Sequence, residues 1–287
     1  MRALLLAGLS AFVVGLSLLG CSSADHEPDC TSGRSRAYVI TSLGFTRESP
    51  RGVAAGFDLD NRVSARPESE SCGKLDLVDP KGQQGIDNQL ALFIPEIEKR
   101  FGNAVDGIIQ GAINDGRLII MFDVKNVDDT QNDECVNMDV QLGEGKPALG
   151  TDGAVEAYQT FDLRKTGQQT SVAKKGTFKK NVFNIGPFDL HIPIAIFDVA
   201  FMVHMRDARV KFTLDEDGNA EGLLGGGVSI DEIADGVQTG AGLGDIIPQI
   251  RALGKLASDL GYDEESGVCR LMSATLAFKA RPAFMRK

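Results

Sequence analysis

Residues 188–214 alternate between apolar and other side chains with a period of two, and the alternation changes phase twice. Apolar residues take even positions in Phe188–Ile196, odd positions in Phe197–Met205 and even positions again in Ala208–Leu214. This period is typical of β-strands with one buried face. A one-residue change of phase exchanges the two faces of a strand, so each change requires a bulge or a turn. The stretch therefore predicts two or three strands.

Other segments have the composition or the alternation of strands, and Asp215–Asn219 contains the Asp-Gly pair of a hairpin turn. A mixed run at Val53–Val63 is compatible with a short strand. The remaining predicted strands are Leu118–Val124, Val136–Leu142, Tyr158–Leu163, Val182–Phe188, Glu221–Val228 and Leu271–Ala280.

Two segments have the apolar stripe of amphipathic helices instead. The first covers residues 86–112, with Asp87 placed as its N-cap. The second begins with Ser229 and Glu232, whose spacing forms a capping box, and is divided by the glycine-rich residues 236–244. We therefore expect a β-rich α+β fold: a mainly antiparallel sheet, sandwich-like or curved, with two amphipathic helical segments packed on it.

The N-terminus has the pattern of a secretory signal: Arg2 is followed by an apolar run over residues 3–19. The run ends at Leu18-Leu19-Gly20-Cys21, which resembles the lipobox of bacterial lipoproteins, although Leu19 replaces the small residue usual there. The alternative is an ordinary signal peptide with a chance cysteine at its end. The lipobox interpretation divides the chain into a signal peptide (1–20), a lipidated flexible tether (21–36) and a single β-rich globular domain (37–287).

The resemblance implies that Cys21 becomes the lipidated N-terminal residue. It implies diacylglycerol on the sulfur, cleavage before Cys21 and acylation of the new terminus by a fatty acid such as palmitate. Several acyl chains anchor a protein firmly without spanning the membrane. Ser22, rather than Asp, follows the cysteine, which by the same resemblance favours the outer membrane, with the periplasmic or surface face left open.

The other four cysteines are candidates for two disulfides, since an exported protein meets an oxidising environment. Of the three possible connectivities we favour Cys30–Cys72 with Cys135–Cys269. A cysteine metal site is the alternative, but no two cysteines have the close spacing that such sites use.

Acidic and amide residues are densest in two neighbouring segments and suggest a calcium site, because calcium prefers oxygen ligands from loops. Gly56-Phe57-Asp58-Leu59-Asp60 and Gly85-Ile86-Asp87-Asn88-Gln89 are similar to segments of uncharacterised secreted bacterial lipoproteins, a resemblance that implies no known activity. The alternative is that these side chains cap a helix or face solvent. The possible ligands are Asp58, Asp60, Asp76, Asp79, Asp87 and Asn88.

No catalytic residue is predicted, because the chain lacks a G-x-S-x-G elbow, an H-E-x-x-H helix and a Walker A loop. Gly225-Gly226-Gly227 lacks the lysine of a phosphate-binding loop. His191 and His204 lie out of the local apolar phase and would meet if their strands pair. The net charge of −10 argues against nucleic acid as a partner.

These patterns favour a membrane-anchored, extracytoplasmic lipoprotein that is a non-enzymatic binding or structural module of the envelope, with an unidentified protein or lipid partner. A calcium-stabilised surface or adhesion protein and a lipid-binding carrier are the alternatives. A hydrolase with an unrecognised carboxylate pair is a further one. Apart from possible calcium, no cofactor is predicted.

Overall fold

Ten strands and four helices follow one another in the part of the chain that the structure describes. The computed structural model describes residues 33–101, 104–165, 171–196, 199–238 and 247–286. The strands are β1 (Arg34–Phe45), β2 (Ile119–Val127), β3 (Asn132–Glu144), β4 (Thr160–Leu163), β5 (Ser171–Lys179), β6 (Val182–Ile196), β7 (Val199–Leu214), β8 (Ala220–Val228), β9 (Leu260–Asp263) and β10 (Val268–Arg286). The helices are α1 (Gln89–Phe101), α2 (Ala104–Asn114), α3 (Ile230–Gln238) and α4 (Ile247–Ala257).

Eight of the strands close into an antiparallel barrel. Their order around the barrel is β1, β2, β3, β5, β6, β7, β8 and β10, and β10 pairs again with β1 from Ala37↔Ala283 to Phe45↔Leu276. The short strand β4 pairs with β3 and β10, and β9 pairs with β10. The β-rich, curved antiparallel sheet is confirmed. The sandwich-like prediction is wrong, because the pairing of β1 with β10 joins the two edges that a sandwich would leave open.

The alternating stretch at 188–214 belongs to the hairpin formed by β6 and β7. Its first change of phase falls at the connection between these strands, at residues outside the described ranges. Its second change coincides with a register shift between β7 and β8 at Arg206/Arg209, where Asp207 takes a φ of 51°. A bulge therefore produces the predicted exchange of faces.

Three parts of the fold differ from the sequence prediction. Strands β1, β5 and β9 were not predicted, and β1 begins at Arg34, inside the segment assigned to the tether. The expected strand at Val53–Val63 is wrong: this region contributes only the isolated bridges Val53↔Val78 and Phe57↔Asp87. It belongs instead to a long loop, residues 46–88, between β1 and α1.

Each of the two predicted helical segments contains two helices, α1 with α2 and α3 with α4. Asn88, not Asp87, caps α1, because its Oδ1 accepts the Ala91 N–H at 3.3 Å. Ser229 Oγ accepts the Glu232 N–H as a capping box requires, but the Glu232 carboxylate pairs with Arg206 instead of turning back. In the ranges described, no helix has the length and apolar character needed to cross a membrane.

Aromatic side chains fill the middle of the barrel. Phe212 of β7 packs against Tyr38 of β1 and Phe278 of β10, with ring centroids 5.9 and 6.3 Å apart, although β7 pairs with neither strand. Such contacts are possible only across the interior. Phe122, Phe178 and Phe183 complete the cluster, and all six rings are buried. These rings occupy the interior at this level of the barrel, and the carrier alternative gains no support from them.

The loop 46–88 packs on the outer face of the barrel. A Cβ at Gly225 would lie 2.7 Å from the Phe57 ring and 2.8 Å from Thr275 Oγ1, so only glycine permits this close approach. Thr46 donates its hydroxyl to the Thr275 carbonyl at 3.0 Å, and Arg209 donates to the Leu59 carbonyl at 3.2 Å. Gly225 therefore makes room for this loop, whereas a Cβ at Gly226 would meet Met205 of β7 and one at Gly227 would meet Leu271 of β10.

A disulfide fixes the same loop to the barrel. Cys72 in the loop is bonded to Cys269 in β10, across 197 residues of sequence and with a Cα–Cα distance of 6.0 Å. The favoured pairing of Cys135 with Cys269 is therefore wrong, and so is that of Cys30 with Cys72. Cys135 is also disulfide-bonded. Cys21 and Cys30 lie outside the described residues.

Replacing Phe212 by Ala should remove the centre of the aromatic cluster and lower the free energy of unfolding by about 3–5 kcal/mol. Urea denaturation followed by circular dichroism measures the loss. The matched control is Phe284→Ala, because Phe284 is 55% exposed and contacts Tyr158 at the surface. The control should cost less than about 1 kcal/mol. Equal losses in the two variants would contradict the assignment of Phe212 to the core.

Candidate metal centre

Three carboxylates from two parts of the loop 46–88 converge on one point. Asp58, Asp60 and Asp87 each offer an oxygen, and these oxygens lie within 4.8 Å of one another. Asp87 is buried, with 3% exposure, whereas Asp58 and Asp60 are half-buried. Carboxylate oxygens at such separations are compatible with ligands of one hard cation. The structure thus brings together three of the six residues that the sequence suggested.

Asp87 organises the other two carboxylates through the backbone. Its Oδ2 accepts the N–H of Leu59 at 2.6 Å and that of Asp60 at 3.3 Å, and its own N–H donates to the Phe57 carbonyl at 2.8 Å. The chain is therefore held in place around Asp58. Asp58 Oδ1 is buried and has no hydrogen-bond partner. A buried acceptor without a partner is costly, and a bound cation would satisfy it.

The other three suggested ligands have different roles. Asp79 Oδ1 accepts the N–H groups of Lys81 and Gln83 in its own turn, both at 2.8 Å. Asn88 caps α1 and donates its amide to the Ala55 carbonyl at 2.8 Å and to Thr46 Oγ1 at 2.6 Å. Asp76 accepts the Ser64 N–H and contributes negative charge near the cluster rather than one of its three converging oxygens.

Negative charge accumulates at this site. Burial raises the pKa of Asp87 to about 8, and repulsion from Asp60, Asp259 and Asp76 adds to this effect. Burial also raises the pKa of Asp76, as do the charges of Asp60 and Asp58. Arg209 reaches the loop, but its Nη2 donates to the Leu59 carbonyl and the Asn61 amide oxygen. The carboxylates thus form a site that a divalent cation would stabilise.

A second buried carboxylate, Asp259, was missed by the sequence analysis. Its oxygens accept the Ser273 N–H at 2.7 Å and the Ser273 hydroxyl at 2.6 Å, and Ser273 Oγ accepts the N–H of Gln89 at the start of α1. Burial raises the pKa of Asp259 to about 7. The only sequence signal was an acidic residue directly after an apolar helical stripe, which is too common to identify a site.

The two histidines that the sequence predicted to approach each other are adjacent on the hairpin of β6 and β7. His191 and His204 occupy paired positions, and their rings stack with centroids 4.3 Å apart and an interplanar angle of 12°. Their neighbours Leu190, Ile192 and Met205 are buried in the barrel core, so alternation places both imidazoles on the outer face. The predicted approach of the two rings is confirmed. The histidine pair lies on β6 and β7, whereas the carboxylate cluster lies in the loop 46–88.

Comparison with known proteins adds no assignment: no family model, curated protein or solved structure matches this chain. A function therefore has to be argued from the residues and their geometry.

Stability in EDTA should fall as the pH rises from about 4 to about 8. Folding raises the pKa values of Asp87 to about 8 and of Asp259 to about 7, from an ordinary value of 3.8. In this window the folded protein holds protons that the unfolded chain has released, so each deprotonation removes stability. The measurement is the free energy of unfolding from urea titrations across the window.

The variant Asp87→Asn should flatten this pH dependence, because an amide preserves the acceptor oxygen and cannot titrate. Asp79→Asn is the control, since Asp79 serves only its own turn, and it should retain the wild-type slope. A slope unchanged by Asp87→Asn would show that this carboxyl does not titrate in the window.

Proposed function

We propose that the protein is a non-enzymatic module of the bacterial cell envelope, a barrel that is anchored through acyl chains on Cys21 and stabilised by calcium. The observation that carries the calcium assignment is the convergence of Asp58, Asp60 and Asp87 oxygens within 4.8 Å. The lipobox-like residues Leu18-Leu19-Gly20-Cys21 support the anchor. The aromatic filling of the barrel supports a structural or surface-binding role over transport of a ligand in the interior.

The chemistry of the donor set favours calcium. All three converging ligands are carboxylates, which suit hard cations, whereas zinc sites use nitrogen and sulfur more often. Irregular loop backbone accommodates the larger and more variable coordination of calcium better than the strict octahedron of magnesium. Outside the cytoplasm, calcium is abundant enough to fill a site of modest affinity.

A bound cation would stabilise the loop 46–88, which packs on the outer face of the barrel. The cluster joins the region around Asp58 to Asp87, next to the start of α1, and Cys72 already fixes the middle of the loop to β10. The loop leaves Val63 and Leu75 about half exposed, at 52% and 49%. Calcium would thus stabilise the conformation of a loop surface on which Val63 and Leu75 can contact a partner.

Calcium should raise the melting temperature of the purified protein at pH 8. About 5 mM calcium, roughly ten times a Kd typical of extracellular modules, contributes about 1.4 kcal/mol and raises Tm by about 3–5 °C. Asp60→Asn should weaken calcium binding about tenfold by removing one charged ligand. Differential scanning calorimetry and isothermal titration calorimetry measure the two effects.

Asp79→Asn is again the matched control and should bind calcium as the wild type does. Identical melting temperatures in EDTA and in calcium would overturn the calcium assignment. So would equal affinities in the Asp60 and Asp79 variants.

The anchor is tested by Cys21→Ala expressed in a bacterium that processes lipoproteins. The variant should move from the membrane fraction to the soluble extracytoplasmic fraction, because each buried methylene of the lost acyl chains contributes about 0.8 kcal/mol to membrane binding. Fractionation with immunoblotting and mass spectrometry of the N-terminal peptide provide the readout. A variant that stays in the membrane fraction, or a wild type without lipid, would refute acylation at this residue.

A further inference from the structure

A pocket of about 630 Å³ opens on the outer face of the barrel between β5 and β6. Within the described residues, ladder pairing between these strands covers Thr177–Lys179, and β5 pairs with β3 on its other edge from Ser171 to Lys179. Near the start of β5 the two strands are joined by the His191 N–H, which donates to Ser171 Oγ at 3.0 Å. The barrel wall has a recess at this place.

The recess concentrates positive charge on an acidic protein. Lys174 and Lys175 line it together with the stacked His191 and His204, in a chain whose net charge is −10. Among the described residues that line the recess, Asp189 is acidic, and its Oδ1 lies 3.2 Å from His204 Nε2. A local positive charge on an acidic molecule favours an anionic ligand.

Hydroxyl, ammonium and imidazole groups line the recess as possible hydrogen-bond donors. Ser171 is 3% exposed and accepts a backbone N–H, so its hydroxyl proton is available to donate. Lysines supply point charges and imidazoles supply directional N–H groups. A group with several oxygens on one centre can use such donors together.

We propose that this recess binds a phosphate group, either free inorganic phosphate or the phosphate of a lipid headgroup. Lys174 and Lys175 would supply charge, and Ser171, His191 and His204 would donate hydrogen bonds. The site is independent of the carboxylate cluster and of the anchor.

The stacked imidazoles would make the binding pH-dependent. Burial and then the adjacent His204 lower the pKa of His191, and Arg206 lowers it further, whereas Asp189 and Glu232 act in the opposite direction. The cationic Lys174 and Lys175 line the same recess and also oppose protonation. Bound phosphate would relieve this repulsion and favour protonation of His191, which strengthens binding of a given ionic form of phosphate as the pH falls. Protonation of the phosphate near its second pKa of about 6 acts in the opposite direction.

The test follows the histidine imidazole resonances of the full-length protein by NMR during titration with inorganic phosphate. Resonances of His191 and His204 should shift with saturation, while His26, in the predicted tether, serves as an internal control. Lys174→Gln should weaken binding about threefold to fivefold, as expected for one partly exposed charge. Lys211→Gln removes an exposed lysine of β7 outside the recess and should change nothing.

A second arm uses phosphatidylcholine vesicles with and without phosphatidic acid and identifies the source of the phosphate. Saturable binding of inorganic phosphate that depends on Lys174 supports the site with the free anion as ligand. Perturbation of the two imidazoles by phosphatidic acid alone, again dependent on Lys174, supports it with a lipid ligand. The proposal fails if neither probe perturbs His191 and His204, or if the Lys174 and Lys211 variants weaken binding equally.

Discussion

The pairing of β1 with β10 is the interaction on which the rest of the structure depends. It joins residues 246 positions apart, Ala37 and Ala283, and converts a curved sheet with two free edges into a closed wall. Closure gives every strand of the barrel two neighbours and surrounds the phenylalanine cluster on all sides. It also gives β10 a long outer face, against which Thr46, Gln89 and Asp259 make their hydrogen bonds.

That outer face explains why charged groups are buried in a domain whose barrel core is aromatic and aliphatic. Ser273 and Thr275 point away from the aromatic core and are covered by the loop 46–88 and α1. The Ser273 hydroxyl and the Thr275 carbonyl satisfy part of the polar surface that this covering buries. Asp87 and Asp259 lie in the same layer, where burial favours their protonated forms or a bound cation. The candidate metal centre is therefore part of the polar layer between the loop 46–88 and the barrel.

The sequence predicted the parts of the fold that have one buried face. The hairpin of β6 and β7 was recognisable because its alternation is regular and its change of phase marks a real bulge. Strand β1 was missed because Val39 and Ile40 are both buried, so that its apolar run does not alternate. Strand β5 was missed because Lys175 has a φ of 62°, in a segment whose register with β3 is irregular.

Long-range partners were beyond what sequence spacing could determine. The acidic segments were recognised as a group, but the exchange of roles between Asp87 and Asn88 depends on the direction in which α1 leaves the loop. The bond between Cys72 and Cys269 depends on where the loop crosses β10, which no local pattern records.

The closure of the barrel by its first and last strands also constrains how the protein is made. A chain that is synthesised from its N-terminus presents β1 long before β10 has been made. Until then β1 exposes an unpaired edge and the aromatic residues of the early strands have no partners. Contacts of such high sequence separation form slowly. The incomplete polypeptide is therefore exposed, during this interval, to aggregation and proteolysis.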